Sequence, residues 1–359
     1  MQTAPQGAKG RYVMQILTNS QRNCYGECPR KHSLRYEQGI APAHTSEALA
    51  FGTLMHEALE AWWITHGDLD AAILVLQVEA IKPEADPFRL ALARALMRGY
   101  HERWAGDLMT MEVVAVELEY RAPLLNPATN GISRTFELAG KIDAIAKLAD
   151  GTLAIVEHKT TSESIDPASD YWPLLSIDGQ VSGYYLGAQA LGYAVETCLY
   201  DVIAKPGIRP SNTPILDTDG LKIVLDANGE RVRTKDGKKF RESGSSADGY
   251  VLQTRPETPE EFEIRLNVNI TADNFARRLV YRTESDMLDY LSDMWAVAAN
   301  IREAENANRW PRNPRSCKNY GGCSFFPICS GMASADDQSQ YIVKPAHEEL
   351  SMSTIKEPA

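Results

Sequence analysis

Apolar and polar positions alternate most clearly between Arg134 and Thr161, RTFELAGKIDAIAKLADGTLAIVEHKTT. The alternation predicts two β-strands joined by a tight turn at Ala149, Asp150 and Gly151. Strands send successive side chains to opposite faces, and glycine suits the left-handed position of a three-residue hairpin loop. With that loop Leu148 pairs with Thr152, and counting back along the ladder sets Asp143 opposite Glu157. Opposed residues share a face with side chains about 5 Å apart. Lys159, two residues beyond Glu157, shares that face too. A two-residue Asp-Gly loop would put Asp143 and Glu157 on opposite faces, so the longer loop is required if the three charged side chains are to act together.

The remaining pattern places this hairpin in a mixed α/β sheet. Residues 1–15 read as a flexible arm, and Thr18 to Gln38 as a basic helical segment (Arg22, Arg30, Lys31, His32, Arg35) capped by Asn19 or Ser20 and suited to phosphate contact. Residues 46–66 form an amphipathic helix whose stripe is Leu54, Ala58, Leu59, Trp62 and Trp63. His56 lies beside that stripe, Glu60 one turn on, and Gly52 would let another backbone approach. Helices continue to residue 107, broken near Lys82-Pro83 and Asp86-Pro87. Met111–Pro123 reads as a strand, Ser176–Gly192 as a helix with Gln180 and Tyr184 on one face, and Val195–Lys205 as a strand carrying Cys198. Strand, strand, strand, helix, strand is the order of a mixed α/β core. The chain thus divides into an N-terminal helical region (16–110), a core (111–205) and a β-hairpin insertion (206–260) with a basic end at Lys235, Lys238, Lys239 and Arg241. A strand and long helix follow (261–310), with Glu261–Asn269 as the strand and Arg277, Arg278 and Arg282 near the start of the helix. A Cys-rich knuckle (311–331) and a disordered tail (332–359) complete the chain.

Composition narrows the class. Apolar content of 44% and charged content of 24% over 359 residues are those of a globular protein. The start, MQTAPQGAKGRYV, lacks an apolar core and no apolar run reaches membrane-spanning length. The expectation is therefore a cytoplasmic protein without a membrane partner, whose six cysteines are thiols or metal ligands. A net charge of −11 excludes a general nucleic-acid-coating protein, but not a nuclease whose DNA path is locally basic.

Two constellations carry chemistry. Asp143, Glu157 and Lys159 match what phosphodiester cleavage needs: carboxylates for Mg²⁺ or Mn²⁺, and an ammonium to orient water or stabilise developing charge. His56 would suit Mn²⁺. The second is Cys317, Cys323 and Cys329 in RSCKNYGGCSFFPICSG, three of the four thiolates that an iron–sulfur cluster or a zinc ion requires. Five-residue gaps are wider than those of most zinc sites. The fourth ligand comes from Cys24, Cys28 or Cys198, and Cys198 on an apolar strand reads as core.

Taken in order, these segments resemble the PD-(D/E)XK nuclease superfamily, in particular RecB-like exonucleases with a 4Fe–4S cluster, phage-encoded and CRISPR-associated members among them. The resemblance runs from about Leu17 to Gly331 and is weakest in the insertion after Lys205. CPRKHSLRYEQG resembles the N-terminal cluster segment and selects Cys28 over Cys24. GTLMHEALE resembles the segment of the metal-binding histidine, here His56. AGKIDAI supplies the motif aspartate, Asp143, and VEHKTT the Glu-x-Lys, Glu157 and Lys159, with the backbone carbonyl of His158 also facing metal. Gln180 and Tyr184 resemble the Gln-x-x-x-Tyr helix that borders the site and contacts DNA. Cys317, Cys323 and Cys329 match the remaining cluster ligands, although the first gap is five residues where two is common. The resemblance implies a restriction-endonuclease-like mixed sheet flanked by helices. It implies a Mg²⁺/Mn²⁺-dependent DNA exonuclease acting on single strands or ends, in recombination, repair or phage DNA processing. DNA, and recombination or single-strand-binding proteins, would be its partners, in a bacterial or phage-infected cell. An endonuclease or nickase of the same fold and a non-catalytic iron–sulfur DNA-binding module are the alternatives. A cluster tying residue 28 to residues 317–329 would staple the helical region across the core, a structural role.

Overall fold

The turn at Ala149–Gly151 forms as its local chemistry dictates. Leu148 N–H donates to Thr152 O at 2.8 Å, Gly151 N–H donates to Leu148 O at 2.9 Å, and Gly151 sits at φ 90°. Pairing runs from Lys147↔Leu153 to Ala144↔Val156, a register that carries Asp143 opposite Glu157.

The computed structural model describes residues 14–350, so most of the expected N-terminal arm and residues 351–359 lie outside the described residues. β1 (Gln15–Leu17) leads into α1 (Asn19–Glu27) and α2 (Pro29–His32); the cap of α1 is Thr18, not Asn19 or Ser20. β2 (Ile40–Pro42) precedes the helices α3 (Glu47–Ile64), α4 (Leu69–Glu79) and α5 (Pro87–Trp104). The core strands follow as β3 (Glu112–Leu125), β4 (Ile132–Lys147) and β5 (Leu153–Thr161), then α6 (Gly179–Ala190) and β6 (Thr197–Ala204). In the insertion, β7 (Asn212–Pro214), β8 (Val224–Leu225), β9 (Val251–Leu252) and β10 (Thr254–Pro256) make two small ribbons, β7 with β10 and β8 with β9. The chain closes through α7 (Pro259–Asn269), β11 (Phe275–Val280), α8 (Glu284–Ala307), α9 (Phe326–Ser330) and β12 (Tyr341–Val343).

Six strands form the central sheet in the order β1-β4-β5-β6-β11, with β3 also on β4. β3 occupies one edge of β4 along most of its length, so β1 and β5 must share the other. β1 pairs with Phe136–Leu138 and β5 with Ala144–Lys147. Between them β4 has a stretch without a partner on that edge, and Asp143 stands at its end. Beyond Val156 β5 parts from β4 and stays paired in parallel with β6 as far as Thr161. The split creates a notch in the sheet at Asp143.

Helices cover both faces. α3 buries Phe51, Leu54, Met55, Ala58, Leu59, Trp62 and Trp63, a full i, i+3/i+4 stripe, and with α4 and α5 packs on Ala144, Ala146, Ala154 and Val156. α6 and α8 cover the other face against Phe136, Leu138, Ile142 and Ile155. Gly187 lets α6 lie directly on β3, because a Cβ there would overlap the Tyr120 ring. The space beside Gly52 is open by comparison: a Cβ would meet only Thr160 Oγ1 at 3.9 Å, so no close approach depends on it.

Several expectations are corrected. Residues 259–269 are helical, not a strand. Arg277 and Arg278 lie on β11, and the long helix begins only at Glu284. His32 is not a phosphate contact. It is fully buried, with its ring centroid 5.2 Å from that of Tyr36 and 5.5 Å from that of Trp310. Residues 332–350 are not a disordered tail: β12 pairs antiparallel with β2 and Tyr341 stacks on Phe325. α7 is tied to α5 through Glu263, which accepts from Arg94 at 2.7 Å and pairs with Arg98. Burial raises the Glu263 carboxyl, but the two arginines outweigh it and hold the group below its ordinary value. Glu263→Gln should therefore cost about 1–2 kcal/mol at neutral pH by chemical denaturation. A depressed folded-state value contributes stability above the ordinary glutamate range. The gap between wild type and variant should close as pH falls through the lowered folded value; a gap that persists in acid would assign the loss to packing.

Candidate active site

Asp143 is held at the notch by two groups. His158 N–H donates to Asp143 Oδ2 at 2.8 Å, and His56 Nδ1 of α3 lies 3.6 Å from the same oxygen. Because N–H and C=O of one strand residue point to the same side, the His158 carbonyl leaves β5 on that edge as well. Its imidazole serves the opposite face, with Nδ1 3.4 Å from Asp201 Oδ2 and the ring near Trp63.

Glu157 is 1% exposed, and its carboxylate is paired with the Lys159 ammonium. Burial, with Asp143 adding to it, pushes the Glu157 carboxyl up to about 7, against the pull of Lys159. Burial likewise raises Asp143 and lowers His56 to about 4. Burial also opposes the charge on Lys159, but Glu157 and Asp143 outweigh it and hold the ammonium at about 12. Lys159 Nζ donates to Gln180 Oε1 at 2.9 Å, and Gln180 Nε2 donates to Tyr184 OH at 2.6 Å. Asp178 caps α6 and fixes Gln180 at its first turn. The structure thus brings His56, Asp143, Glu157, His158, Lys159, Gln180 and Tyr184 together.

Two groups beside the notch escaped the sequence reading. Glu117 of β3, in register opposite Asp143, adopts φ 57°. Val116↔Ala144 belongs to the α3 side while Leu118↔Ile142 belongs to the α6 side, so the usual alternation breaks between the two pairs. Glu117 pairs with Lys141, and both sense Glu60 of α3. The second missed feature is a buried network behind β5. Asp201 accepts from Tyr100 OH at 2.6 Å and from Arg277 at 2.9 Å, and Arg277 lies over the Trp104 ring. Burial would raise Asp201, but Arg277 and His158 hold it down to about 2.

The cysteines converge from both ends of the chain. Asn313 N–H points at Cys28 Sγ at 3.4 Å, Cys317 Sγ lies 3.8 Å from Asn313 O, and Asn313 and Ser316 both donate to Glu27 O. Cys323 senses Cys317 and Cys329, while Cys24 senses Cys28 and Cys323 and is pushed up to about 12 by burial. Cys198 is fully buried in the main core, as its apolar strand implied. Among the described residues, however, no group of three or more His, Cys, Asp or Glu side chains is closed around a metal position, at the cysteines or at the notch. The donor types suit a metal in both places: two buried carboxylates and an imidazole at the notch, and thiols from residues far apart in sequence at the knuckle.

A mixed sheet split at an aspartate, with a Glu-x-Lys strand leaving the split, defines a nuclease core. The family model of the PD-(D/E)XK nuclease superfamily matches residues 17–330, and the chain belongs to that superfamily. It is therefore a hydrolytic DNA-cleaving enzyme of a superfamily that generally uses Mg²⁺ or Mn²⁺. No curated protein matches the sequence. Among solved structures, one from Eubacterium rectale named as a candidate exonuclease superposes over 98% of this chain and 100% of its own. Its TM-score is 0.45 at 11% identity, a likeness too distant to bear on chemistry. No described helix is long and apolar enough to cross a membrane.

Proposed function

We propose that this nuclease is a Mg²⁺- or Mn²⁺-dependent DNA exonuclease acting on single strands or DNA ends, in recombination, repair or phage DNA processing. Glu157 carries the reading. It is a buried carboxylate across from the buried Asp143 carboxylate, and its close cation is the Lys159 ammonium. Two buried carboxylates facing one ammonium leave a net negative charge that is costly unless a further cation joins them. Asp143, Glu157, His56 and the His158 carbonyl are oxygen and imidazole donors suited to Mg²⁺ or Mn²⁺. Such an ion, when bound, lowers the pKa of water and neutralises phosphate charge. The chain supplies the rest. Lys159, aimed by Gln180, is placed to orient the attacking water and to offset negative charge developing on phosphorus-bound oxygen. Gln180 and Tyr184 border the DNA path.

The test is digestion of end-labelled linear DNA and closed circular DNA with Mn²⁺. Expected is degradation of the linear substrate from an end, with the circle untouched. Linearisation of the circle would make the enzyme an endonuclease or nickase, and DNA binding without cleavage would leave a non-catalytic module.

For the knuckle, the proposal is a 4Fe–4S cluster on Cys28, Cys317, Cys323 and Cys329, with a structural role. The shared contacts at Asn313 and the docking of α1 onto residues 313–316 support it. Anaerobically purified protein should be coloured and hold about four iron atoms per chain. One zinc and no colour would identify a zinc site instead. Metal loss should lower Tm, since the ligands bridge the two ends of the chain.

A further inference from the structure

We infer that the cavity between the loop after β5 and the edge strand β11 seats one unpaired nucleotide of a DNA strand bound at the active site. This inference rests on the nuclease reading. The site is an open cleft of about 440 Å³, within the range of small-ligand sites, and its walls include Trp172, Ser169, Ser176, Arg278 and Tyr281.

Three observations point to this occupant. The first is position. Glu157 pairs with Tyr200, and Tyr200 pairs with Arg278, so the three lie on one rung of the sheet. Tyr200 packs on Tyr171 and Arg278 on Trp172, neighbours in the same loop, so the cavity opens on the face that carries Glu157. Two strand spacings put it about 10 Å from Glu157.

The second is charge. The chain carries −11 overall, yet among the described residues neither Arg278 nor Arg282 makes an ion pair, whereas Arg277 beside them is paired with Asp107 and Asp201. Arg278 is instead held by Pro167 O at 2.9 Å, and Arg282 by the carbonyls of Leu175 and Asp178. Carbonyl contacts fix both guanidinium groups and leave their charge for a phosphate.

The third is stacking surface. The Arg278 guanidinium lies 4.1 Å over the Trp172 ring, and Tyr281 is 62% exposed at the rim. Guanidinium planes and tyrosine rings are the surfaces on which proteins stack unpaired bases. A base in a duplex cannot enter without unpairing, so the pocket accounts for a preference for single strands or frayed ends.

The test uses the full-length protein in EDTA, so that binding is read without cleavage. The probes are a fluorescein-labelled oligothymidylate and the same oligonucleotide with single 5-iododeoxyuridine substitutions for photocrosslinking. Crosslinks are expected on peptides spanning residues 167–176 or 278–281. Tyr281→Ala, a change at an exposed side chain, should weaken oligothymidylate binding by about fivefold or more, the effect of one stacked base, with blunt duplex affinity nearly unchanged. Arg278→Ala should also reduce the salt slope by about 0.7 for one lost phosphate contact. Crosslinks confined to other peptides, with Tyr281→Ala binding normally, would overturn the pocket. Equal weakening of duplex and single strand would also overturn it, leaving a general phosphate contact. The two readings separate. A wild type that never cleaves DNA but crosslinks here keeps the pocket and loses the catalytic reading, and one that cleaves but crosslinks elsewhere does the reverse.

Discussion

Lys159→Ala is expected to lower DNA hydrolysis by about 10²–10³-fold, the usual loss when one preorganised charge is removed from a reaction centre. Two effects act in the same direction. The ammonium is aimed by Gln180 and paired with Glu157, so its loss removes the cation proposed to act on the scissile phosphate. Lys159 also opposes the burial that has already pushed the Glu157 carboxyl up to about 7. Without it Glu157 is driven further towards the neutral acid, a poor ligand for a hard cation. The loss should fall on kcat, with KM changed by less than about threefold, because the charge acts on the transition state. Methylammonium should restore part of the activity of Lys159→Ala and none of that of Asp143→Ala, since the small cation can replace the ammonium but not the carboxylate. Hydrolysis within tenfold of wild type in both variants would remove these residues from catalysis.

The part of this site legible in sequence is the part set by local rules. The hairpin register followed from one turn, where Gly151 takes the left-handed position, and it fixed which side chains face each other. α3 and α6 were legible from their periodicity. The errors arose where two periods compete. EFEIRLNVN alternates like a strand, yet Thr258 and Glu261 form a capping box with Pro259 at the first helical position, and Phe262 and Leu266 are buried one turn apart. The same signal at Thr283 and Asp286 marks the true start of α8 and releases Arg277 and Arg278 to β11. The sheet split at Asp143 and the pairing of Glu117 with Lys141 depend on strands distant in sequence, and no local pattern encodes them. Cys24 was set aside for Cys28 on resemblance alone; the fold brings both thiols to the knuckle, because they flank one turn of the same helical segment.

Arg277→Ala should destabilise the fold by about 3–5 kcal/mol, the cost of leaving a buried charge without its partner. Asp201 is fully buried and Arg277 nearly so. Burial alone would raise the Asp201 carboxyl; Arg277 is the first of the groups that hold it down instead, to about 2. Removing the guanidinium leaves that carboxylate with the Tyr100 hydroxyl and His158, and opens space over the Trp104 ring. For a chain of this length the loss corresponds to a fall in Tm of roughly 4–7 °C. The double variant Arg277→Met, Asp201→Asn should recover most of it, because replacing both partners leaves no unpaired charge and keeps an acceptor for Tyr100. The network also sets the side of β5 opposite the notch: His158 spends its ring on Asp201 while its N–H holds Asp143. The single variant should therefore lose activity beyond what unfolding explains at a temperature where it is still folded, and the double variant should regain stability more fully than activity. A stability loss below about 1 kcal/mol for Arg277→Ala would show that solvent reaches Asp201 and that the pair is ordinary surface electrostatics.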